Sequence, residues 1–228
     1  MKRLVFLVEG AGDLKAVPSL ASRWLSDNLE SYAHVHFDTN PFQIGGLEKI
    51  SGRAHVQAQW IRFLNLAYKK RPNVGAILAV LDADADKFEG KPFCAVEATT
   101  ILAERAKEAG AGVLFSFGIV LLSKEYESIL IAAAAQLPGL AADVSIPALP
   151  ESIRGAKEWL STHLPEGYSS VAHQNELTKA VSDWRPVRAT HRSFRRFENA
   201  LLQLVEAIRT EKHVVTPSSI ADNLPAVK

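Results

Sequence analysis

Asp82, Asp84 and Asp86 alternate with alanines at the end of an apolar run, VGAILAVLDADAD, which begins at Val74. An apolar run bounded by a turn signal reads as a buried strand. Carboxylates gathered at its end raise one another's pKa unless a counter-charge is present. A hard divalent cation with oxygen ligands, Mg2+ (or Mn2+), is the simplest such counter-charge. Glu9 closes a second apolar run, residues 4–8, and is followed by Gly10-Ala11-Gly12-Asp13. Read with Asp82 and Asp84, Glu9 supplies the third carboxylate of a cation cradle. Such a site keeps several waters and takes phosphate oxygens as its remaining ligands.

These acids can meet only if the strands that carry them share one edge of a sheet. The pattern up to residue 122 alternates β-α-β-α-β-α-β. Strands are expected at residues 4–8, 33–37 (an edge strand), 74–82 and 113–122. Helices are expected from about Asp13, as N-cap, to Leu25, over 53–70 and over 94–108. Pro18 would move the first helix start toward Ala16. Residues 38–52 and 87–92 read as loops. This order predicts an α/β fold, a mostly parallel sheet flanked by helices on both faces. Ligands of such sheets bind at the C-terminal strand ends, where both Glu9 and Asp82 fall. From Ser123 onward the pattern is helical, with helices after Ser123, at 153–163, at 175–184 and from Phe194. Residues 136–150 read as loop, and the tail from His213 as loosely held. Residues 1–122 are thus an α/β core, and 123–228 a helical C-terminal part packed on it as one globular unit.

Other sites fit less well. The third glycine of G-x-G-x-x-G would fall at Lys15, and the P-loop pattern is absent. An EF-hand loop would need Gly at Lys87 and Glu at Phe93. A phosphatase D-x-D would make Asp82 a nucleophile, but it belongs on the first strand of its domain. The metal-binding D-x-D of nucleotide-sugar glycosyltransferases also stays open. So does a plain structural role, with the aspartates capping the next helix. Seven histidines show no zinc-ligand spacing, and Ser116 and Ser123 have no paired base in sequence.

Arg185, Arg188, His191, Arg192, Arg195 and Arg196 form a basic cluster. Arg195 and Arg196 fall in the first turn of the last helix, where positive charge opposes the helix dipole. A bound anion or a nearby acid would remove that penalty. A nucleic-acid phosphate backbone is the expected anion, carried by Arg188, Arg192, Arg195 and Arg196. The formal net charge of +1 means that such a surface is local rather than global. Apolar residues at 47% support a sizeable core. One cysteine, Cys94, excludes an internal disulfide framework and a multi-cysteine zinc site. No apolar stretch reaches the length of a membrane span, so a soluble cytoplasmic protein is expected, with no membrane partner.

The VEG of residues 8–10, followed later by the apolar strand and DADAD, resembles the Toprim fold of topoisomerases, primases and overcoming-lysogenization-defect (OLD) nucleases. The nearest resemblance is to small bacterial Toprim-like proteins related to OLD nucleases. Their E-[FM]-E-A-[LW]-L segment is similar to Glu125-Tyr126-Glu127-Ser128-Ile129-Leu130. Their S-F-x-R-[FL] segment is similar to Ser193-Phe194-Arg195-Arg196-Phe197. The resemblance spans residues 4–204. It implies a metal-dependent phosphoryl-transfer site, a phosphodiesterase of nuclease type. There Glu9 would do acid/base or metal work, and Asp82 and Asp84 would bind Mg2+. Asp86, Asp13, Glu125 and Glu127 would be second-metal candidates. Glu125 and Glu127, two apart, do not share a helix face, so at most one reaches a metal, and Glu127 is preferred. Two departures stand out. The acid after VEG is the shorter Asp13, and Tyr168-Ser169-Ser170 lacks the lysine of a Tyr-x-Lys pattern. These departures favour the alternative, a non-catalytic subunit working with an ATPase partner protein, possible in phage defence by analogy.

Overall fold

A computed structural model describes residues 1–28, 32–51, 54–141 and 143–217. The chain runs β1 (Lys2–Val8), α1 (Asp13–Asp27), β2 (Val35–Phe37), β3 (Phe42–Gln43) and α2 (Ala54–Lys70). It continues through β4 (Val74–Ala83), β5 (Lys87–Phe88), β6 (Lys91–Pro92), α3 (Ala95–Glu108) and β7 (Ser116–Ser123). The C-terminal part holds α4 (Glu127–Ala132), α5 (Ala156–His163), α6 (Ser170–Ala180), α7 (Arg185–Thr190), α8 (Arg192–Thr210) and β8 (Val215–Thr216).

The main sheet has the order β2-β1-β4-β7-β8, with β3 also pairing β1, and every pairing in it is parallel. The β1–β4 register sets Val8 opposite Val80, and the β4–β7 register sets Asp82 opposite Leu122. From β1 the chain crosses to β2 on one side, then returns to β4 on the other. The strand order therefore reverses between β1 and β4, the place where such sheets open a ligand crevice at their C-terminal ends.

Strand side chains alternate between faces. Leu4, Phe6, Val8, Ala76, Leu78 and Val80 pack in one core with residues of α1, α4, α6 and α8. Val5, Leu7, Ile77, Ala79 and Leu81 pack in a second core with Trp60 of α2 and Leu102 of α3. The architecture is α/β with a mostly parallel sheet between two helical layers. By the same alternation Asp82 shares the face of Leu78 and Val80. That face is covered by α1 and the C-terminal helices, which decides what Asp82 meets.

Several boundaries differ from the sequence reading, each for a local reason. Residues 113–115 are not strand, because Gly110 and Gly112 set a turn in which Val113 is 76% exposed. The first C-terminal helix starts at Glu127 rather than Ser123, since Lys124 adopts φ +64° and interrupts the backbone. Residues 87–92 form a two-stranded hairpin, and residues 38–52 contain β3. The helix expected at 175–184 is α6, ending at Ala180, with α7 following. The segment after His213 is not wholly loose, and the C-terminal part is not all helix, because Val215 pairs with Phe117 and Thr216 with Gly118. Residues 218–228 of that tail, and Arg53 of the second expected helix, lie outside the described residues. Among the described residues no helix is long and apolar enough to cross a membrane.

Candidate active site

The C-terminal ends of β1 and β4 are where the acids meet. The Glu9 carboxylate follows directly on β1, and its Oε2 accepts the backbone N–H of Asp82 at 3.0 Å. Asp82 is 8% exposed, and its Oδ1 accepts the backbone N–H of Tyr126 at 3.0 Å. That bond ties the end of β4 to the start of α4 and brings Glu127 to the same side. Glu127 is 1% exposed, and its Oε1 accepts the Tyr168 hydroxyl at 2.9 Å. Asp13 begins α1, one residue inside the expected cap position. Its Oδ2 accepts the Gly10 N–H at 2.9 Å and its Oδ1 the Gln174 amide at 2.6 Å. A Cβ on Gly12 would overlap Gln174 Oε1 and come within 2.9 Å of the Ser170 carbonyl oxygen. The glycine there is what lets α6 approach the Asp13 turn.

Burial and mutual repulsion load this cluster. Burial pushes the Glu9 carboxyl from 4.5 up to about 7, with Asp84, Asp13 and Glu48 adding repulsion against the Asp82 N–H. Burial, then Asp13, Glu9 and Glu127, hold Asp82 well above the carboxylate range. Asp13 and Glu127 are raised by burial as well. Lys157 answers them. Burial works against the Lys157 ammonium, yet Glu127, Glu125 and Asp82 hold its pKa above the ordinary lysine value. Lys157 Nζ lies 3.0 Å from Glu125 Oε1.

The seven acids named from sequence therefore divide. Glu9, Asp13, Asp82 and Glu127 are brought together. Asp84 and Asp86 stand exposed on the loop after β4 and line a small cavity of about 160 Å³ with Lys124, Glu125, Arg154 and Gly155. Glu125 points elsewhere than Glu127, as two-residue spacing requires. Its Oε2 accepts the N–H groups of Ala156 and Lys157 at 3.0 and 3.4 Å, so it caps α5. Asp13 uses both oxygens on its own turn and on Gln174, which makes it an anchor of that turn.

Among the described residues no group of three or more His, Cys, Asp or Glu side chains is arranged to hold a metal ion. The donor chemistry nevertheless suits Mg2+, which often takes only one or two carboxylates and keeps waters for the rest. Glu9 and Asp82 each spend one oxygen on a backbone N–H, and the charge of the exposed Asp84 acts on Glu9.

The basic cluster is rearranged by pairing. Arg188 forms a two-pronged pair with Glu198, its Nε 2.7 Å from Oε2 and its Nη2 2.5 Å from Oε1. Arg195 donates to the carbonyls of Arg188 and Ala189 at the C-terminal end of α7, where positive charge is favourable. Arg185 is taken by Asp183. The acid that relieves the α8 N-terminus is Glu151, whose Oε1 accepts the Ser193 N–H at 2.6 Å. No phosphate is needed to explain that helix start. Arg192 and Arg196 remain exposed.

Residues absent from the sequence reading of the site are Lys157, Gln174, Lys124 and Arg154, and Tyr168 figures there only for the lysine missing after it. Lys157, on α5, is the cation whose charge acts on Glu127, the acid that holds the Tyr168 hydroxyl. Ser128, His191 and Glu151 superficially resemble a hydrolase triad, with Ser128 Oγ 2.9 Å from His191 Nε2 and His191 Nδ1 3.2 Å from Glu151. His191 Nδ1, however, accepts the Phe194 N–H at 3.1 Å, and burial pushes the ring's pKa down to about 4. The ring is neutral with its proton on Nε2, and Ser128 and His191 are both fully buried. His191 and Glu151 cap α8, and Ser128 ties the His191 ring to the Glu125 carbonyl, so the trio offers no nucleophile. No protein-family model, curated protein or solved structure matches the chain.

Proposed function

We propose that the chain is a Mg2+-dependent phosphodiesterase of nuclease type, built on a Toprim-like sheet and working on nucleic acid in the cytoplasm. The observation that carries this is the contact between Glu9 and the Asp82 backbone, which sets acids from two strands together at the crevice where strand order reverses. Glu9 and Asp82, with Asp84 on the open side, would hold the divalent ion, which supplies Lewis-acid polarisation of a phosphoryl oxygen when bound. Glu9, with a pKa pushed up to about 7, can exchange a proton near neutral pH. Lys157 offsets the charge of Glu127 and Asp82, and the Tyr168 hydroxyl fixes the Glu127 carboxylate. Asp13 and Glu125 hold backbone rather than ligand, and Asp86 belongs to the outer rim. Arg192 and Arg196, exposed on α8, suit phosphate contacts better than the internally paired Arg188 and Arg195.

The test is cleavage of single- and double-stranded DNA and RNA with Mg2+ or Mn2+. Glu9→Gln and Asp82→Asn should each lower the rate by about 10²-fold or more, at the scale of a lost acid/base or metal group. Unchanged cleavage in both variants would refute the mechanism.

A second reading keeps one specific support, the lack of a three-ligand metal group among the described residues. In it the acids hold protons, and the chain is a non-catalytic subunit for an ATPase partner. Its other motive, the lysine missing after Tyr168, is weakened by Lys157. Absence of divalent-cation binding at millimolar concentration would favour this reading.

A further inference from the structure

A groove of about 480 Å³ runs between α1 and α6. Three cations line it, Lys15 and Arg23 from α1 and Lys179 from α6, and no carboxylate does. Among the described residues no ion pair within 4.0 Å engages Lys15. The acids paired with Arg23 and Lys179 are Asp27 at 3.7 Å and Glu176 at 3.2 Å, exposed neighbours on the same helices. Exposed pairs of this kind are weak and exchange readily for another anion. Ser19, Ser22, Ser26 and Thr39 add hydroxyls to the walls, and the buried Asn175 and Thr178 line the groove from α6. No aromatic ring lines it. Cations, hydroxyls and amides are the groups that contact phosphate and sugar, whereas stacking on bases needs rings. From Lys15 to Ser26 the α1 wall extends about 16 Å, further than a single phosphate needs. The end at Lys15 lies two residues beyond Asp13, whose carboxylate is held by Gln174, the chain neighbour of Asn175. The groove therefore starts beside the acid cluster.

We propose that this groove is a track for the sugar-phosphate backbone of a single nucleic-acid strand. Lys15, Arg23 and Lys179 take successive phosphates, and the serine and threonine hydroxyls take sugar and phosphate oxygens. Without a ring in its lining the track is indifferent to base sequence. A recessed cleft of this volume seats the backbone of one strand, while a duplex touches only its rim. Binding along it needs no metal ion. The inference rests on the reading of Glu9 and Asp82 as a phosphodiester-cleaving site, and it adds the surface that leads a strand there.

The experiment follows the fluorescence anisotropy of a labelled oligothymidylate of about 12 nucleotides. The full chain is titrated in EDTA at several salt concentrations. Wild type should bind, with log K falling linearly with log salt. Lys15→Gln, Arg23→Gln and Lys179→Gln combined should weaken binding about tenfold or more. They should also make the salt slope shallower by about 2, the share of three phosphate contacts on a single strand. All three side chains are exposed, so the fold is kept, as thermal melting checks. Lys69→Gln, Lys70→Gln and Lys212→Gln combined remove the same charge from other exposed positions and should leave affinity within about twofold. No binding by wild type at low salt, affinity unchanged in the first triple variant, or equal losses in both overturns the proposal. A duplex of the same length that competes as well as the single strand overturns the assignment to one strand. Strand binding that needs the three groove cations, in a chain that cleaves nothing, keeps the track and removes the nuclease reading. Cleavage at the wild-type rate in the first triple variant, with binding unchanged, does the reverse.

Discussion

Glu9 and Asp82 are costly as anions without a matching counter-charge, and that has a sign that can be measured. The folded pKa of Glu9, about 7, exceeds its ordinary 4.5, so the folded chain holds that proton more tightly than the unfolded chain. Its contribution to stability is complete below pH 4.5 and is lost as pH rises through about 7. Asp82, Asp13 and Glu127 act in the same direction. Glu9→Gln and Asp82→Asn should therefore raise the metal-free melting temperature at pH 8 while changing it little at pH 5, as followed by calorimetry. Lys157→Met should do the opposite, lowering it at pH 8, with a smaller loss at pH 5 where the acids take up protons. The sequence made Glu9 and Asp82 legible because each ends an apolar strand, and strand ends in a parallel sheet share one edge. Lys157 was not legible, since its position depends on Glu125 capping a helix remote in sequence. The pairing of the arginines was legible only in part: Asp183 lies two residues from Arg185, whereas Glu198 and the α7 carbonyls meet Arg188 and Arg195 only once α7 packs beside α8.

At the scale of elements, the α1–α6 contact is the joint that holds Asp13 in place. Gly12→Ala would push its methyl into Gln174 and the Ser170 carbonyl. Overpacking of this kind costs about 1–3 kcal/mol, which denaturant unfolding would register as a lower midpoint with an unchanged slope. In the other core, Trp60 is fully buried and donates from Nε1 to the Leu102 carbonyl at 2.9 Å, joining α2 to α3. Trp60→Ala should cost about 3–5 kcal/mol by leaving a cavity and removing the tie between α2 and α3. The strands and long helices were readable from periodicity, because continuous apolar runs and 3.6-residue stripes survive any tertiary context. Short elements were not. β3, β8 and the 87–92 hairpin owe their existence to neighbours in the sheet or to a turn, and two residues cannot display a period. The shift of the first C-terminal helix to Glu127 came from the left-handed Lys124, which no propensity would place there.

Taken whole, the molecule sets two apolar layers around a parallel sheet and leaves its charged business at one edge. The same edge collects the cluster of raised-pKa acids, the half-exposed Lys157 and the small cavity lined by Asp84, Asp86, Lys124, Glu125 and Arg154. The wild-type chain without metal should melt at a higher temperature at pH 5 than at pH 8. Mg2+ should narrow that gap by stabilising the ionised acids, because a ligand that binds only the folded state adds to its stability. The most direct measurement is Mn2+ binding to the full chain, read from the electron paramagnetic resonance signal of the free ion, in wild type, Glu9→Gln and Asp82→Asn. Wild type should take up one or more ions at submillimolar concentration, and each variant should lose the tightest of them. No uptake by wild type at millimolar Mn2+, or uptake that both variants leave unchanged, would contradict the assignment of these carboxylates to a divalent cation.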